Sequence, residues 1–141
     1  MAENLKKSLG DRIKLTFEPN DPSCAGYYIR QVLAENDEQL IDNNILALAF
    51  AVNRADHNER VIKPFLSRGD KRVVICDRYY LSSLVYQTST DVDFDKIMEI
   101  NFLAKKPDLT IFLNASTEKC YSRKQKRRNG KKNKKELFEK N

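Results

Sequence analysis

Two short polar segments could carry phosphate chemistry, and each lies at the end of a segment typical of a β-strand. Glu18 follows residues 12–17 (R-I-K-L-T-F), and Asp77 and Arg78 lie at the end of residues 72–77 (R-V-V-I-C-D). A carboxylate can hold Mg²⁺ or its water, and a guanidinium can bind two phosphate oxygens at once. Ligands of parallel α/β sheets bind at the carboxyl ends of the strands, so the pattern predicts a phosphate site there. A structural ion pair at a strand end is the alternative interpretation.

The elements that must position these residues alternate as strand, helices, strand, helices, strand. Strands are predicted at 12–17, 72–77 and 109–114, the last being L-T-I-F-L-N. Helices are predicted at 2–9, 26–33, 37–60, 79–89 and 93–106, with a break of the third near Pro64 and a basic helix from Thr117 onward. This order is typical of an α/β three-layer sandwich with a parallel sheet. We expect residues 1–141 to form a single, partial domain of this kind.

Composition limits the class of protein. Hydrophobic residues make up 40% and charged residues 33% of the 141 residues, which is a typical globular mixture. The longest apolar run, residues 45–52, is eight residues long, whereas a membrane span needs about 20. The first residues contain no apolar stretch typical of a secretory signal. Three widely spaced cysteines and one histidine predict a cytoplasmic, reduced and metal-poor protein without a membrane partner.

Positive charge is concentrated at one end of the sequence. Residues 119–141 contain 11 Lys and Arg against two Glu, whereas residues 1–118 contain 15 basic and 18 acidic residues. A basic block of this kind is typical of a solvated segment or of a contact with a polyanion. Both interpretations stay open at this point.

The positions of the glycines exclude two phosphate-binding motifs. The four glycines, Gly10, Gly26, Gly69 and Gly130, are separated by 16, 43 and 61 positions. The P-loop, G-x-x-x-x-G-K-[ST], requires two glycines five positions apart, and G-x-G-x-x-G requires three within six residues. The sequence therefore contains neither motif.

Four segments, in order, resemble the motifs of thymidylate kinases. Residues 16–30 resemble a strand followed by E-P, a turn, a glycine and I-R, and residues 48–57 (L-A-F-A-V-N-R-A-D-H) resemble a helix with L-F-A-A-N-R. Residues 72–87 resemble the central strand with its D-R-Y sequence, and residues 107–114 (P-D-L-T-I-F-L-N) resemble the strand before a lid. The resemblance implies a P-loop NTPase-like fold, a homodimer, and ATP-dependent, Mg²⁺-assisted phosphorylation of thymidine monophosphate (dTMP) to the diphosphate.

The resemblance also implies roles for the matching residues. Phe50 would stack on the thymine ring and Arg54 would hydrogen-bond the base edge, and their i, i+4 spacing puts them on one helix face. Core packing is the alternative for Phe50. Arg78 would bind the substrate phosphate with help from Arg30, and Asp77 would organise Mg²⁺ through water.

Five more residues would line the pocket for the monophosphate. Glu18, with Pro19 beside it, would approach the sugar or phosphate from the opposite wall. Ser83 and Gln87, four positions apart on one helix, would face the base. Tyr86 would pack near the deoxyribose, with ordinary helix packing as the alternative.

Residues 116–135 match the position of the family's lid. The resemblance implies that Arg123, Arg127 and Arg128 are catalytic and stabilise charge on the transferring phosphoryl group. A solvated or nucleic-acid-binding basic segment is the alternative, and residues 131–135 (K-K-N-K-K) fit that alternative well.

The sequence also departs from the family pattern. The family's first strand and P-loop would precede Ala2, and its C-terminal elements would follow Lys140. Without a P-loop, ATP has no phosphate cradle, and without the first strand the predicted strands would have exposed apolar edges. We therefore expect this chain alone to be inactive and poorly folded, or to need a complementary piece. Three alternative functions stay open, namely another nucleoside or nucleotide kinase, a non-catalytic nucleotide-binding relative, and a nucleic-acid-binding protein with a basic tail.

Overall fold

The computed structural model describes residues 2–21, 23–35, 42–69, 71–88 and 93–129, with the backbone alone at 2, 3, 35 and 124–129. Its strands are β1 (Ile13–Phe17) and β2 (Val73–Asp77). Its helices are α1 (Ala2–Leu9), α2 (Cys24–Glu35), α3 (Asn43–His57), α4 (Lys63–Leu66), α5 (Tyr80–Tyr86), α6 (Phe94–Ile100) and α7 (Thr117–Asn129). Within these residues, no helix combines the length and apolar character needed to cross a membrane.

The two strands confirm the prediction of an α/β fold with a parallel sheet. β1 and β2 run parallel, with Ile13 opposite Val73 and Phe17 opposite Asp77. The helices between them form the crossover that a parallel pair requires. Because the register is even, both strands end at the same edge, where the Glu18 amide donates to the Asp77 carbonyl at 3.2 Å. The loops that carry the predicted phosphate chemistry are therefore neighbours.

The predicted third strand, residues 109–114, is wrong. These residues have no regular secondary structure and their side chains are exposed, with Phe112 at 85%. A strand exists only as part of a hydrogen-bonded ladder, and the sheet of the described residues contains β1 and β2 alone. The segment is rich in residues that favour strands, but a strand also needs a neighbouring strand, which composition alone does not provide.

Two predicted helix ends also differ from the structure. Helical backbone continues past Pro64, because a π-helical stretch, Asn58–Ile62, precedes α4 and puts the proline in the first turn of α4. Proline is tolerated in the first turn of a helix, and here the turn before it is π-helical, with the Lys63 amide donating to the Asn58 carbonyl. Helix α6 ends at Ile100 instead of residue 106. The Asn101 side chain donates to the Ile97 carbonyl at 2.7 Å, which occupies the acceptor that a continuing helix would use.

The apolar core is divided between two faces of α3. Ile29 and Val32 of α2 pack on Leu46, and Ile97 of α6 packs on Ala47. Helix α3 therefore has an apolar half, near its N-terminus, that anchors it between two other helices. Its C-terminal half is buried as well, but there its buried residues are polar.

Helix α3 also fixes the loop that follows β1. The Asn20 amide donates to Asn53 Oδ1 at 2.7 Å, and Asn53 Nδ2 donates to the Asn20 carbonyl at 2.9 Å. Gly26, in the first turn of α2, lies so close to this loop that a Cβ atom there would clash with the Asn20 carbonyl oxygen. The loop is thus clamped between α2 and α3, directly after Glu18.

Candidate functional site

Arg54 lies at the centre of a buried polar network. Its side chain on α3 is 1% exposed, and its Nε donates to Glu18 Oε2 at 2.7 Å. Its Nη2 donates to Ser83 Oγ at 3.0 Å, and its Nη1 donates to Asn101 Oδ1. These partners come from the end of β1, from α5 and from the end of α6. One guanidinium therefore ties together four parts of the chain, and its charge is compensated by the Glu18 carboxylate, as a buried cation requires.

Tyr79 covers the same guanidinium. The centre of its ring is 5.4 Å from Arg54 Cζ, within the range of a cation–π contact. Its hydroxyl accepts from Asn58 Nδ2 at 2.8 Å and donates to the Lys105 carbonyl at 3.0 Å. Burial is the main cause that raises the pKa of Tyr79 to about 12. The phenol therefore stays protonated at neutral pH and holds the segment after α6 against α3.

The second oxygen of Glu18 is bound by His57. Nδ1 of this fully buried ring lies 3.2 Å from Glu18 Oε1, and its Nε2 lies 2.7 Å from Thr16 Oγ1. Both oxygens of the Glu18 carboxylate are thus engaged, one by Arg54 and one by His57.

Three side chains could together form a metal site, since one possible ligand atom of each lies within 4.8 Å of the others. They are Glu18, His57 and Cys76. The chemistry does not fit Mg²⁺. Both nitrogens of His57 are already hydrogen-bonded, and burial is the main cause that raises the pKa of Cys76 to about 12. The thiol therefore remains protonated in this structure and donates to the Arg78 carbonyl at 3.0 Å. Mg²⁺ binds oxygen ligands in preference to a thiol or an imidazole, and Glu18 alone offers oxygen here.

The exposed carboxylate of Asp77 fits Mg²⁺ better than this cluster does. Asp77 ends β2, and its side chain makes no hydrogen bond or ion pair with any residue that the structure describes. Mg²⁺ prefers one or two carboxylates together with several waters and substrate phosphates. The exposed carboxylate of Asp77, at the edge where both strands end, meets that requirement.

Arg78, next in the chain, has an unusual backbone. Its φ is +65°, in the left-handed region. This conformation costs a non-glycine residue of the order of 1–3 kcal/mol, and residues that adopt it are concentrated at functional sites. The side chain is exposed, with Cζ 5.5 Å from the centre of the Tyr86 ring. The structure thus brings two of the predicted residues, Arg78 and Tyr86, into contact at the open side of the site.

Arg30 lies at the border of the site. It is exposed and pairs with Asp21, with 2.8 Å between Nε and Oδ2, and its Nη2 donates to the Pro19 carbonyl at 3.1 Å. Pro19 follows Glu18 through a cis peptide bond. Arg30 is therefore attached to the loop after β1, while Arg78 follows β2.

Phe50 and Gln87 occupy different surroundings. Phe50 is partly buried, one turn before Arg54, and packs against the apolar cluster of Ile29, Val32 and Leu46. Gln87 is 4% exposed, one turn after Ser83, and its Oε1 has no hydrogen-bond partner among the described residues. A buried amide oxygen without a donor is a position that a ligand could satisfy.

The described part of the predicted lid is α7. The backbone positions of all three predicted arginines lie on this helix, and the Arg123 side chain is exposed. The side chains of Arg127 and Arg128, and residues 130–135, lie outside the described part of the chain. The lid function stays a prediction.

Sequence reasoning missed five members of the network around Arg54: Thr16, His57, Asn58, Tyr79 and Asn101. His57 carried a signal, since it follows Arg54 by three positions and so shares its helix face. Asn58 follows Arg54 by four positions and carried the same signal. Asn101 carried none, because its contact with Arg54 spans 47 positions and depends on where α6 ends.

Comparison with known proteins identifies related sequences and structures. A family model described as "Thymidylate kinase" matches residues 1–141. A probable thymidylate kinase from Pyrococcus horikoshii is 40% identical over 119 residues, covering 81% of this chain and 56% of the relative. A thymidylate kinase from Leuconostoc citreum is 38% identical over 135 residues, covering 93% and 62%. The solved thymidylate kinase from Candida albicans superimposes with a TM-score of 0.68 at 25% identity, covering 87% and 60%. The chain thus spans less than two thirds of the length of these relatives.

Proposed function

The chain belongs to the thymidylate kinase family, and we propose on this basis that the protein transfers the γ-phosphoryl group of ATP to dTMP. The products are thymidine diphosphate and ADP. The observation that carries this proposal is the meeting of the loops after β1 and β2 at one edge of a parallel sheet. There, Asp77 and Arg78 are open to a ligand, above the buried pair of Glu18 and Arg54.

The residues of this chain account for the monophosphate side of the reaction. Arg78 binds the dTMP phosphate, whose oxygen attacks the γ-phosphorus while the bond to the β-phosphate oxygen breaks. The guanidinium compensates the negative charge that gathers as the two phosphates approach each other. Arg30, attached to the loop on the other side, adds a second positive charge.

The nucleoside part of dTMP is assigned to α3 and α5. Phe50 stacks on the base, and Arg54, Ser83 and Gln87 bind its polar edge. The unpaired Oε1 of Gln87 supports this assignment, since a donor on the ligand would satisfy it. Tyr86, beside Arg78, packs near the sugar, and Glu18 and Pro19 form the opposite wall.

The metal and the donor nucleotide bind toward the outside of the sheet edge. When bound, Mg²⁺ supplies positive charge to the phosphates, and Asp77 is the residue that would hold it through water. Arg123, Arg127 and Arg128 on α7 are proposed to stabilise the phosphoryl group in transfer. Since the sequence contains no P-loop, we propose that these 141 residues alone transfer no phosphoryl group.

The oligomeric state and the cellular location of the protein are part of the proposed function. We propose a homodimer, which the family resemblance supports, and a cytoplasmic location, which the composition and the three widely spaced cysteines support.

A comparison of acceptor nucleotides tests the proposed function. The protein at its native length is supplied with ATP, Mg²⁺ and one deoxynucleoside monophosphate, and ADP formation is measured. We expect turnover with dTMP, and at least about tenfold lower kcat/KM with the cytosine, adenine and guanine monophosphates. No turnover with dTMP, or a stronger preference for another base, would contradict the proposal. Calorimetric binding of dTMP without turnover would identify a non-catalytic nucleotide-binding protein instead.

A further inference from the structure

His57 is a fully buried titratable residue to which neither the family resemblance nor the proposed reaction gives a role. We propose that His57 is a positioning residue. It holds the Glu18 carboxylate and, through it, orients the Arg54 guanidinium for binding of the nucleoside monophosphate. This inference rests on the proposed function, since it concerns the same site.

The hydrogen bond between His57 and Glu18 has a defined direction. A carboxylate only accepts hydrogen bonds, so the bond at 3.2 Å requires that His57 Nδ1 carries a proton and donates it to Glu18 Oε1. The other ring nitrogen, Nε2, lies 2.7 Å from Thr16 Oγ1 and shares a hydrogen bond with it. Asn20 Nδ2 in turn lies 3.4 Å from Thr16 Oγ1 and donates to it. A chain of hydrogen bonds thus leads from the loop after β1 through the imidazole to Glu18.

The Glu18 carboxylate, held by His57, in turn orients the Arg54 guanidinium. Among the residues that the structure describes, Glu18 is the one charged partner of the Arg54 side chain, whereas Ser83 and Asn101 are neutral. With Oε1 bound to His57 and Oε2 bound to Arg54, the carboxylate plane is fixed. If the bond to His57 is lost, Glu18 can rotate, and the strongest restraint on the guanidinium is lost with it.

The position of His57 in the sequence explains why it can have this effect. It follows Arg54 by three residues on the same face of α3, so both side chains reach Glu18 from one helix. The apolar half of α3 holds the backbone of Arg54 in place. If Glu18 moves, Arg54 therefore cannot move with it, and the contact between the carboxylate and the guanidinium changes.

The same atoms could suggest hydrolytic chemistry, since carboxylate, imidazole and hydroxyl form the order of a catalytic triad. Burial excludes that role. His57 has no exposed surface, and both of its ring nitrogens are already hydrogen-bonded, Nδ1 to Glu18 and Nε2 to Thr16. Arg54 differs because two of its five N–H groups make no hydrogen bond within the described residues and remain for a ligand. What the arrangement can do is orient groups that do meet the ligand.

Two substitutions at position 57 separate the two ring nitrogens. His57→Asn places an amide N–H near the position of Nδ1 and keeps a donor for Glu18, while the contact with Thr16 is lost. His57→Gln reaches the position of Nε2 and keeps the contact with Thr16, while the donor to Glu18 is lost. The two variants are similar in polarity, so a difference between them reports on the Glu18 contact.

The experiment measures the dTMP dissociation constant by calorimetry, with KM and kcat, for the protein at its native length. We expect His57→Gln to raise Kd and KM by about tenfold or more, which is typical of a lost bond to a charged group. We expect kcat to fall by a smaller factor, since binding of the base is the same in the ground state and the transition state. His57→Asn should restore most of the affinity and leave Kd within about threefold of the wild type.

A purely structural role predicts a different result. Both variants would then lower the melting temperature alike, and their Kd values for dTMP would agree with each other. Equal Kd values, or a larger loss for Asn than for Gln, would overturn the inference. If His57→Gln does not fold, Thr16→Val tests the same idea, because it leaves Nδ1 bound to Glu18 and should change Kd by less than about threefold. A tenfold loss in Thr16→Val would overturn the inference.

The wild-type protein distinguishes this inference from the proposed function. If the wild type binds dTMP and the position-57 variants do not differ, the positioning role alone is wrong. If the wild type does not bind dTMP, the proposed function fails and the positioning role fails with it.

Discussion

Replacing Arg54 by Ala should destabilise the protein far more than replacing any exposed arginine. The substitution leaves the buried Glu18 carboxylate without its cation and leaves Ser83 and Asn101 without their donor. Removing one partner of a buried ion pair costs about 3–5 kcal/mol. A typical domain has a free energy of unfolding of about 5–15 kcal/mol, so Arg54→Ala removes a large part of it.

Arg30→Ala is the matched control for this prediction. Its pair with Asp21 has a similar distance, 2.8 Å against 2.7 Å, but its side chains are 44% and 46% exposed. Exposed pairs contribute about 0–1 kcal/mol. Urea unfolding at pH 7, followed by circular dichroism on the protein at its native length, gives both free energies. The difference between the two variants should therefore be at least about 2 kcal/mol.

Equal losses of stability in the two variants would contradict this prediction. If Arg54→Ala lost no more stability than Arg30→Ala, the Arg54 guanidinium would not be buried against Glu18. A Glu18→Gln, Arg54→Met double-mutant cycle then measures the pair directly, and a coupling energy below about 0.5 kcal/mol would contradict the contact.

Three further predictions concern other parts of the site. Arg78→Ala should lower kcat for dTMP by at least about a hundredfold and raise KM, since it removes charge compensation at the phosphate; near-normal kinetics would exclude that role. Phe50→Ala should raise KM for dTMP by about tenfold, because base stacking is worth about 1–3 kcal/mol, and an unchanged KM would leave Phe50 as a core residue only. Iodoacetamide at pH 8 should label the exposed Cys24 and Cys120 well before Cys76, whose pKa of about 12 keeps its thiol protonated; equal rates by peptide mass spectrometry would contradict its burial.

The order of apolar and polar residues within short segments predicted the two strands of the sheet and the edge at which they end. Both strands of the sheet have continuous or alternating apolar residues, and both are confirmed. Their parallel order then predicted that Glu18 and Asp77 would meet at one edge, which the hydrogen bond between their backbones confirms. Asp93 is the first residue of the predicted helix 93–106 and is of a type that favours the N-cap position, and its side chain does accept from the Lys96 amide at 2.8 Å.

Features that depend on distant partners were not predictable in the same way. Residues 109–114 have strand composition, but strand formation depends on a neighbour that the segment itself cannot specify. The early end of α6 depends on the Asn101 side chain, which bonds both to the Ile97 carbonyl and to Arg54. A buried arginine needs a charged partner, but the spacing along the chain does not identify Glu18 as the partner of Arg54, since the two residues are 36 positions apart.

The most direct test of the account is to observe the arginines while dTMP binds. Nitrogen-15 labelling of arginine side chains allows the Nε signals of Arg54, Arg78 and Arg60 to be followed by NMR during a titration. We predict saturable shifts at Arg54 and Arg78, and none at Arg60, which pairs with Asp56 on the exposed side of α3. Unchanged signals at Arg54 and Arg78 at saturating dTMP, or shifts at Arg60 alone, would show that the nucleotide binds elsewhere.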